Sequence, residues 1–116
     1  MSLDPVVTNS DLYKVVFEND RVRVLEYLDH PGDKTTPHSH PDSVMYTLSS
    51  FERRLSGEDG TSRDVQMQSG FVGWLPAQQH SGHNIGSTDT HVIFVELKEP
   101  GPASSSSSAA PGPAVQ

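Results

Sequence analysis

Two glycine-led stretches of this 116-residue chain decide its fold: GDKTTPHSH at residues 32–40 and GFVGWLPAQQHSGHN at residues 70–84. In the first stretch, Gly32 lies six residues before His38, and His40 follows two residues later. In an extended chain, side chains two residues apart share one face, so both imidazoles can bind the same metal ion. Six histidines in the chain give about 0.3 such pairs by chance, so the pair alone is equally compatible with two surface histidines.

The second stretch supplies a further histidine whose direction follows from strand parity. Gly70 lies six residues before Pro76, and His80 lies four residues before Asn84. If this segment is a strand, His80 and Asn84 share one face and His83 points to the other side. We therefore expect His80 to point inward and His83 to point outward.

The order and spacing of these two blocks, about 40 residues apart, resemble the two motifs of the cupin superfamily, and the resemblance covers residues 22–97. It implies an all-β fold, the double-stranded β-helix or jelly-roll barrel. Many cupins hold a metal ion through two histidines and a glutamate of the first motif and one histidine of the second. By position, the resemblance assigns the metal-binding histidines to His38, His40 and His80. The implied cofactor is a divalent ion such as Fe, Mn, Ni or Zn.

The first motif departs from the family pattern at its acidic position. The glutamate that should follow His40 by four or five residues is replaced by Val44 or Met45, and the glycine that usually ends the motif is missing. The second motif is one residue shorter than usual and lacks a glycine between Pro76 and His80. The first departure leaves two alternatives, a three-histidine site or a site that has lost its metal. The second departure reshapes a turn.

Glu26 is a candidate for the missing carboxylate because it shares strand parity with Val22, Val24 and Leu28, which form an apolar face. A carboxylate on such a face is costly unless it is paired or bound to a metal. It could replace the missing glutamate or support a ligand histidine, but we expect a salt bridge at the barrel edge instead. The candidate partners are Arg21, Arg23, Arg53 and Arg54.

Other residues near the two motifs have simpler interpretations. Asp42 shares parity with His40, but its place after a proline is typical of a turn, where aspartate bonds its own backbone. We expect His30 and His91 to lie at the surface. Four residues are candidates either for the lining of a pocket or for core packing: Met45, Tyr46, Phe71 and Trp74.

Short β-branched runs separated by turn residues account for the rest of the folded part. The predicted strands are residues 14–17, 22–28, 44–48, 65–67, 71–75 and 92–97. No segment has the periodicity of a helix. The last strand is apolar on both faces, so we expect it to be central in a sheet and covered on both sides.

Composition excludes several classes of protein. Eight basic against 15 acidic residues give a net charge of −7, and no basic stripe is present for nucleic acid or an anionic membrane. Cysteine is absent, which excludes disulfides and thiolate chemistry. No leader-like or membrane-spanning apolar segment is evident, so we expect a soluble, cytoplasmic protein. Residues 100–116, rich in Pro, Gly, Ala and Ser, are predicted to be a disordered tail behind a domain at residues 5–99.

Two classes of function remain open. Three neutral imidazoles would leave coordination positions for a substrate, and the resemblance implies a metal-dependent enzyme of the dioxygenase, isomerase or lyase type. The alternative is a non-catalytic domain that binds or senses a small molecule. A second titratable group beside the metal would distinguish the two, and no catalytic residue is assigned.

The expected partners follow from the same observations. We expect a small-molecule ligand or substrate and a homodimer formed through β-sheet faces or edges, because an open barrel leaves edge strands that need cover. Neither a nucleic-acid nor a membrane partner is expected. No Ser-His-Asp order, phosphate loop or nucleotide fingerprint is present.

Overall fold

The computed structural model describes residues 3–98, which form one short helix and nine strands. The helix, α1, spans Pro5–Thr8. The strands are β1 (Tyr13–Glu18), β2 (Val22–Asp29), β3 (His38–His40), β4 (Ser43–Thr47), β5 (Phe51–Gly57), β6 (Ser62–Met67), β7 (Val72–Leu75), β8 (Gln78–Asn84) and β9 (Thr90–Leu97). Within this part of the chain, no helix is long and apolar enough to cross a membrane. The predicted tail at residues 100–116 and the predicted last residue of the domain, Glu99, lie outside the described residues.

The strands form two antiparallel sheets. The larger sheet has the order β1-β2-β9-β4-β7, and the smaller has the order β3-β8-β5-β6. From β2 onward the chain crosses repeatedly between the sheets, so that strands adjacent in sequence lie in opposite layers, except for β5 and β6, which pair as a hairpin in the smaller sheet. This arrangement is the double-stranded β-helix, and it confirms the predicted fold class.

The core lies between the sheets because the side chains of each strand alternate between the inner and outer faces. The buried apolar side chains of the core are Tyr13, Leu25, Tyr27, Met45, Phe51, Leu75, Val92 and Phe94.

All six predicted strands overlap strands of the structure. The two motif segments that the sequence treated as strands only conditionally form β3 and β8, but β5 was not predicted. Its sequence, FERRLSG, contains two adjacent arginines and one glutamate, so it lacks the apolar run that indicates a strand. The inward-facing positions are Phe51, Arg53 and Leu55, and Arg53 is tolerated there because a buried aspartate pairs with it. The helix α1 was also missed, since four residues are too few to show helical periodicity.

The last strand, β9, is central as predicted, because it pairs with β2 on one side and with β4 on the other. Its inner face carries Val92, Phe94 and Glu96, which are buried. Its outer face, which includes Ile93 and Val95, is only half-buried. The expected cover is therefore present on one face, and the other face is partly open.

Backbone conformation explains why a glycine begins each of the two motifs. Gly32 and Gly70 have φ angles of 91° and 87°, a region that residues with a Cβ atom rarely adopt. The turn at Gly32 is tied to the far end of β8, because the Gly32 N–H donates to the Asn84 carbonyl oxygen at 2.9 Å. The first glycine-led block is thus docked on the second.

Candidate metal centre

The pairing of β3 with β8 brings His38, His40 and His80 together. The ladder places His38 directly opposite His80, and His40 lies two residues along β3 on the same face. All three side chains are buried, and their potential ligand nitrogens lie within 4.8 Å of one another. His83 lies at the opposite parity of β8 and is not part of the cluster.

Hydrogen bonds orient two of the three imidazoles. The His38 Nδ1 donates to the Thr36 carbonyl oxygen at 2.7 Å, and the His80 Nδ1 donates to Gln78 Oε1 at 2.6 Å. Because each Nδ1 carries the proton, each Nε2 keeps a free lone pair. An imidazole held by its other nitrogen in this way is the usual form of a metal-ligating histidine.

The third imidazole faces a buried carboxylate. His40 Nδ1 lies 3.5 Å from Glu96 Oε2, and both atoms are buried without a hydrogen bond. The other oxygen of Glu96 accepts a hydrogen bond of 2.8 Å from Arg23 Nε. A small approach would let His40 Nδ1 donate to Glu96, as the other two imidazoles already do to their acceptors. The donor set therefore fits a metal ion bound through three Nε2 atoms.

Burial keeps the three imidazoles neutral. It lowers the pKa of His38 and of His80 below the ordinary histidine value, and it lowers the pKa of His40 to about 3. Desolvation disfavours the charged imidazolium, and the neighbouring histidines act in the same direction at His40 and His80. Neutral imidazole is the form that coordinates a metal.

A tyrosine that the sequence did not single out lies beside the cluster. The Tyr13 hydroxyl oxygen lies 3.3 Å from His38 Nε2 and 3.4 Å from His40 Nε2. Its ring is buried, and burial raises the pKa of its phenol well above the ordinary value. The sequence left open whether a second titratable group lies beside the histidines. Tyr13 is such a group.

The cluster borders a cavity inside the barrel. The cavity is small, with a volume of about 60 Å³. Tyr13, His38 and His80 form part of its wall. Most of the remaining lining is apolar and includes Met45, Phe51, Leu55, Leu75, Val92 and Phe94.

Arg53 also lines the cavity, but its charge is matched inside the protein. One guanidinium nitrogen donates to Asp29 and to Thr90, and the other donates to the Tyr27 hydroxyl at 3.2 Å. The Tyr27 hydroxyl donates in turn to Asp29, which is fully buried. Since the guanidinium is already paired, the cavity is best suited to a mostly apolar molecule.

Comparison with known proteins supports the fold. No protein-family model matches the sequence, and no curated protein shows significant similarity to it. Among solved structures, a cupin domain from Bordetella pertussis superposes with a TM-score of 0.70 at 27% identity, over 76% of this chain and 93% of that chain. The chain forms a small cupin domain.

More distant structures agree on the fold. A double-stranded β-helix protein from Klebsiella pneumoniae has a TM-score of 0.59 at 23% identity and covers 78% of this chain and 79% of that chain. A polyketide cyclase from Streptomyces resistomycificus has a TM-score of 0.56 at 20% identity and covers 78% of this chain and 66% of that chain. At these identities the likeness shows the fold alone.

Glu26 does not lie near the three histidines of the cluster. Its Oε2 lies 2.7 Å from His91 Nε2, on the outer face of the larger sheet and not inside the barrel. Both the expected salt bridge to an arginine and the alternative role as the missing carboxylate are therefore wrong. The expectation failed because strand parity shows which residues share a face and does not show which of the two faces is buried.

The other predicted residues divide between the interior and the surface. Of the pocket candidates, Met45 lines the cavity, Phe71 packs against the core, and Tyr46 and Trp74 are exposed on the outer face. Asp42 lies in the bend between β3 and β4, but its Oδ1 accepts a hydrogen bond from the distant Ala77 N–H and not from its own backbone as predicted.

The two remaining histidines lie outside the cluster. His30 is exposed and pairs with Asp89 at 2.9 Å. His91 points to the outer face, where it is half-buried beside Glu26. The expected surface location is confirmed for His30. His91 also lies on the outside of the barrel, but it is half-buried and pairs with a carboxylate.

Sequence reasoning missed two residues that shape the centre. Glu96 shares strand parity with Val92 and Phe94 in β9, so the argument applied to Glu26 would have found it. Tyr13 carries no comparable signal, because it stands at the first position of β1, 25 residues before His38.

Proposed function

We propose that this cupin domain binds a divalent metal ion through the Nε2 atoms of His38, His40 and His80. The observation that carries the proposal is the direction of the imidazoles: two Nδ1 atoms donate to protein oxygens, and the third faces the Glu96 carboxylate. A bound Fe, Mn, Ni or Zn ion would supply Lewis acidity and open positions for an oxygen-bearing ligand.

We further propose that the domain is a metal-dependent enzyme that acts on a small, largely apolar molecule. The cavity beside His38 and His80 is small and mostly apolar, with Tyr13 at the junction between the cavity and the histidines. A phenol oxygen at this junction can hold a bound molecule in position through a hydrogen bond. The reaction class stays open among dioxygenase, isomerase and lyase types.

A second candidate is a non-catalytic domain that captures a small molecule at the metal. The charged residue that lines the cavity supports it: Arg53 is committed to Asp29 and Tyr27, so it is not free to act as an acid or base. Exposure of the metal-loaded protein to candidate ligands distinguishes the two, because an enzyme converts the ligand and a binding domain returns it unchanged.

The metal-binding proposal is tested by metal analysis of untagged protein purified without chelators. Replacement of His38, His40 or His80 by Ala should remove most of the bound metal. It should also remove the stabilisation by added metal, which is about 2.7 kcal/mol at a hundredfold excess over the dissociation constant. Replacement of His83 or His91 by Ala is the matched control and should leave metal content unchanged. Full metal occupancy in His80→Ala would contradict the assignment.

We also carry forward two expectations from the sequence as part of this proposal. The first is a cytoplasmic location. The second is a homodimer formed through the apolar outer face of the larger sheet. Fractionation of cells that express the full chain tests the location.

A further inference from the structure

Tyr13 is placed where a fourth metal ligand would stand. Its hydroxyl oxygen lies 3.3 Å from His38 Nε2 and 3.4 Å from His40 Nε2. Two ligand atoms bound to one ion at 2.0–2.1 Å in tetrahedral geometry lie about 3.3–3.4 Å from each other. The phenol oxygen therefore already stands at a ligand-to-ligand distance from two of the three imidazole nitrogens.

The tyrosine ring is held in this position by its neighbours. Its centroid lies 4.6 Å from that of Tyr27, 5.5 Å from that of His38 and 5.8 Å from that of His40. The Tyr13 backbone N–H donates to the Asn9 carbonyl oxygen at 3.1 Å, which anchors the start of β1. Because ring and backbone are both fixed, the oxygen would not have to be recruited from solvent on metal binding.

Three acidic side chains, Glu96, Asp29 and Glu26, contact groups other than the Nε2 atoms of the cluster. Glu96 approaches His40 from its Nδ1 side and is bound to Arg23. Asp29 is paired with Arg53, and Glu26 lies outside the barrel with His91. None of these groups takes the place of the glutamate that the first motif lacks.

We propose that Tyr13 supplies the fourth metal ligand of this cupin domain, as a phenolate oxygen in place of the missing motif-one carboxylate. The inference rests on the metal binding proposed above. On binding, the phenol O–H bond breaks, its proton passes to solvent, and an oxygen–metal bond forms. The positive charge of the ion favours this ionised form, as it does for other coordinated side chains.

The chemical consequence is a harder and more anionic donor set than three imidazoles alone. One phenolate reduces the charge of a divalent centre by one and is an oxygen donor, which suits iron in its higher oxidation state. A coordinated phenolate also gives ferric iron an intense visible charge-transfer band that imidazole does not produce. Tyrosine coordination can therefore be detected without a known substrate.

The test uses the full chain and its three tyrosines. Ferric ion, delivered as a citrate complex, should give the phenolate band in the wild type and in Tyr27→Phe and Tyr46→Phe. Tyr13→Phe should lose the band. Co²⁺ titration should show that Tyr13→Phe still binds through the histidines, with affinity weaker by about tenfold or more. Thermal unfolding checks that each variant is folded.

Each remaining result overturns the proposal in a distinguishable way. If Tyr13→Phe keeps the band, or if its affinity for Co²⁺ equals that of the wild type, Tyr13 is not a ligand. If the wild type binds Co²⁺ through its histidines but shows no phenolate band with ferric ion, the metal centre stands and the tyrosine ligand is refuted. If neither ion binds, the proposed metal centre and the tyrosine ligand fail together.

Discussion

At the residue scale, the directions of Val44 and Met45 decide which of them can take the place of the missing glutamate. Met45 is buried and lines the cavity together with His38 and His80. Val44 lies on the outer face of the larger sheet, opposite Trp74 in the neighbouring strand. A carboxylate at position 45 can therefore approach the metal, whereas one at position 44 cannot.

We expect Met45→Glu to tighten metal binding, because the new carboxylate lowers the net charge of the centre and adds a ligand. Binding of small anions such as azide should weaken for the same reason. Without metal, the variant should melt below the wild type, since it buries an unpaired carboxyl group. Metal titration and thermal unfolding, with and without metal, measure these effects.

Val44→Glu and Glu26→Gln are the controls for this prediction. Both positions lie on the outer face, so neither change should alter metal affinity. A loss of metal in Glu26→Gln comparable to the loss of a histidine would contradict the structure. If Met45→Glu leaves metal affinity unchanged, the side chain at position 45 does not supply a ligand to the metal.

At the scale of single elements, strand β5 carries two adjacent arginines whose side chains point to opposite faces of the sheet. Arg53 points inward and pairs with Asp29 of β2, so this ion pair links the two sheets. Arg54 points outward and pairs with Asp64 at 2.8 Å in solvent. Strand β8 accommodates the inner arginine through Gly82, where an added Cβ would lie 2.5 Å from an Arg53 guanidinium nitrogen.

We expect Arg53→Met to destabilise the domain by about 3–5 kcal/mol, because it leaves the fully buried Asp29 without its cationic partner. Arg54→Met, one residue away on the same strand, should leave the melting temperature almost unchanged, because its ion pair is exposed. Urea unfolding of both variants measures the difference. Equal effects of the two substitutions would show that the buried pair is not the stronger link.

At the scale of the whole molecule, the outer face of the larger sheet is unusually apolar. The strand registers place one apolar row across all five strands. The row consists of Phe17, Val24, Val95, Val44 and Trp74. Large exposed apolar patches of this kind mark protein–protein interfaces. We propose that the expected homodimer forms through this face.

Trp74→Asp should convert the dimer into a monomer, because it places a charge at the edge of the apolar row. Val7→Asp is a matched control, since Val7 on α1 is also an exposed apolar residue, 65% accessible, and does not belong to that face. Light scattering at micromolar protein concentration reports the mass. A monomeric wild type, or a Trp74→Asp variant that stays dimeric, would contradict the proposed interface.

Deletion of residues 101–116 should leave both the melting temperature and the metal content unchanged. This segment carries no charge and consists almost entirely of Gly, Pro, Ala and Ser, so it offers little apolar surface to bury. Differential scanning calorimetry and metal analysis of the truncated chain measure both quantities. A substantial loss of stability would show that the segment packs against the domain or a second copy.

Local patterns determined much of this protein. The two glycine-led blocks and six strands follow from residue type and spacing within short segments, and the selection of His38, His40 and His80 follows from the resemblance of these blocks to the cupin motifs. Such features are predictable because a left-handed turn favours glycine and because strand parity assigns side chains to faces. The central place of β9 was also predictable, since its apolar run is continuous.

Only the tertiary structure decided which residues surround the histidines. Tyr13, Glu96 and the pair of Arg53 with Asp29 reach the interior from strands far apart in the sequence. Glu26, by contrast, shares its parity with apolar residues and still faces outward. The two-residue alternation of a strand assigns its residues to two faces but does not determine which face is buried. That choice is made when the sheets pack and the total apolar burial of both layers, together with the pairing of buried charges, selects one side.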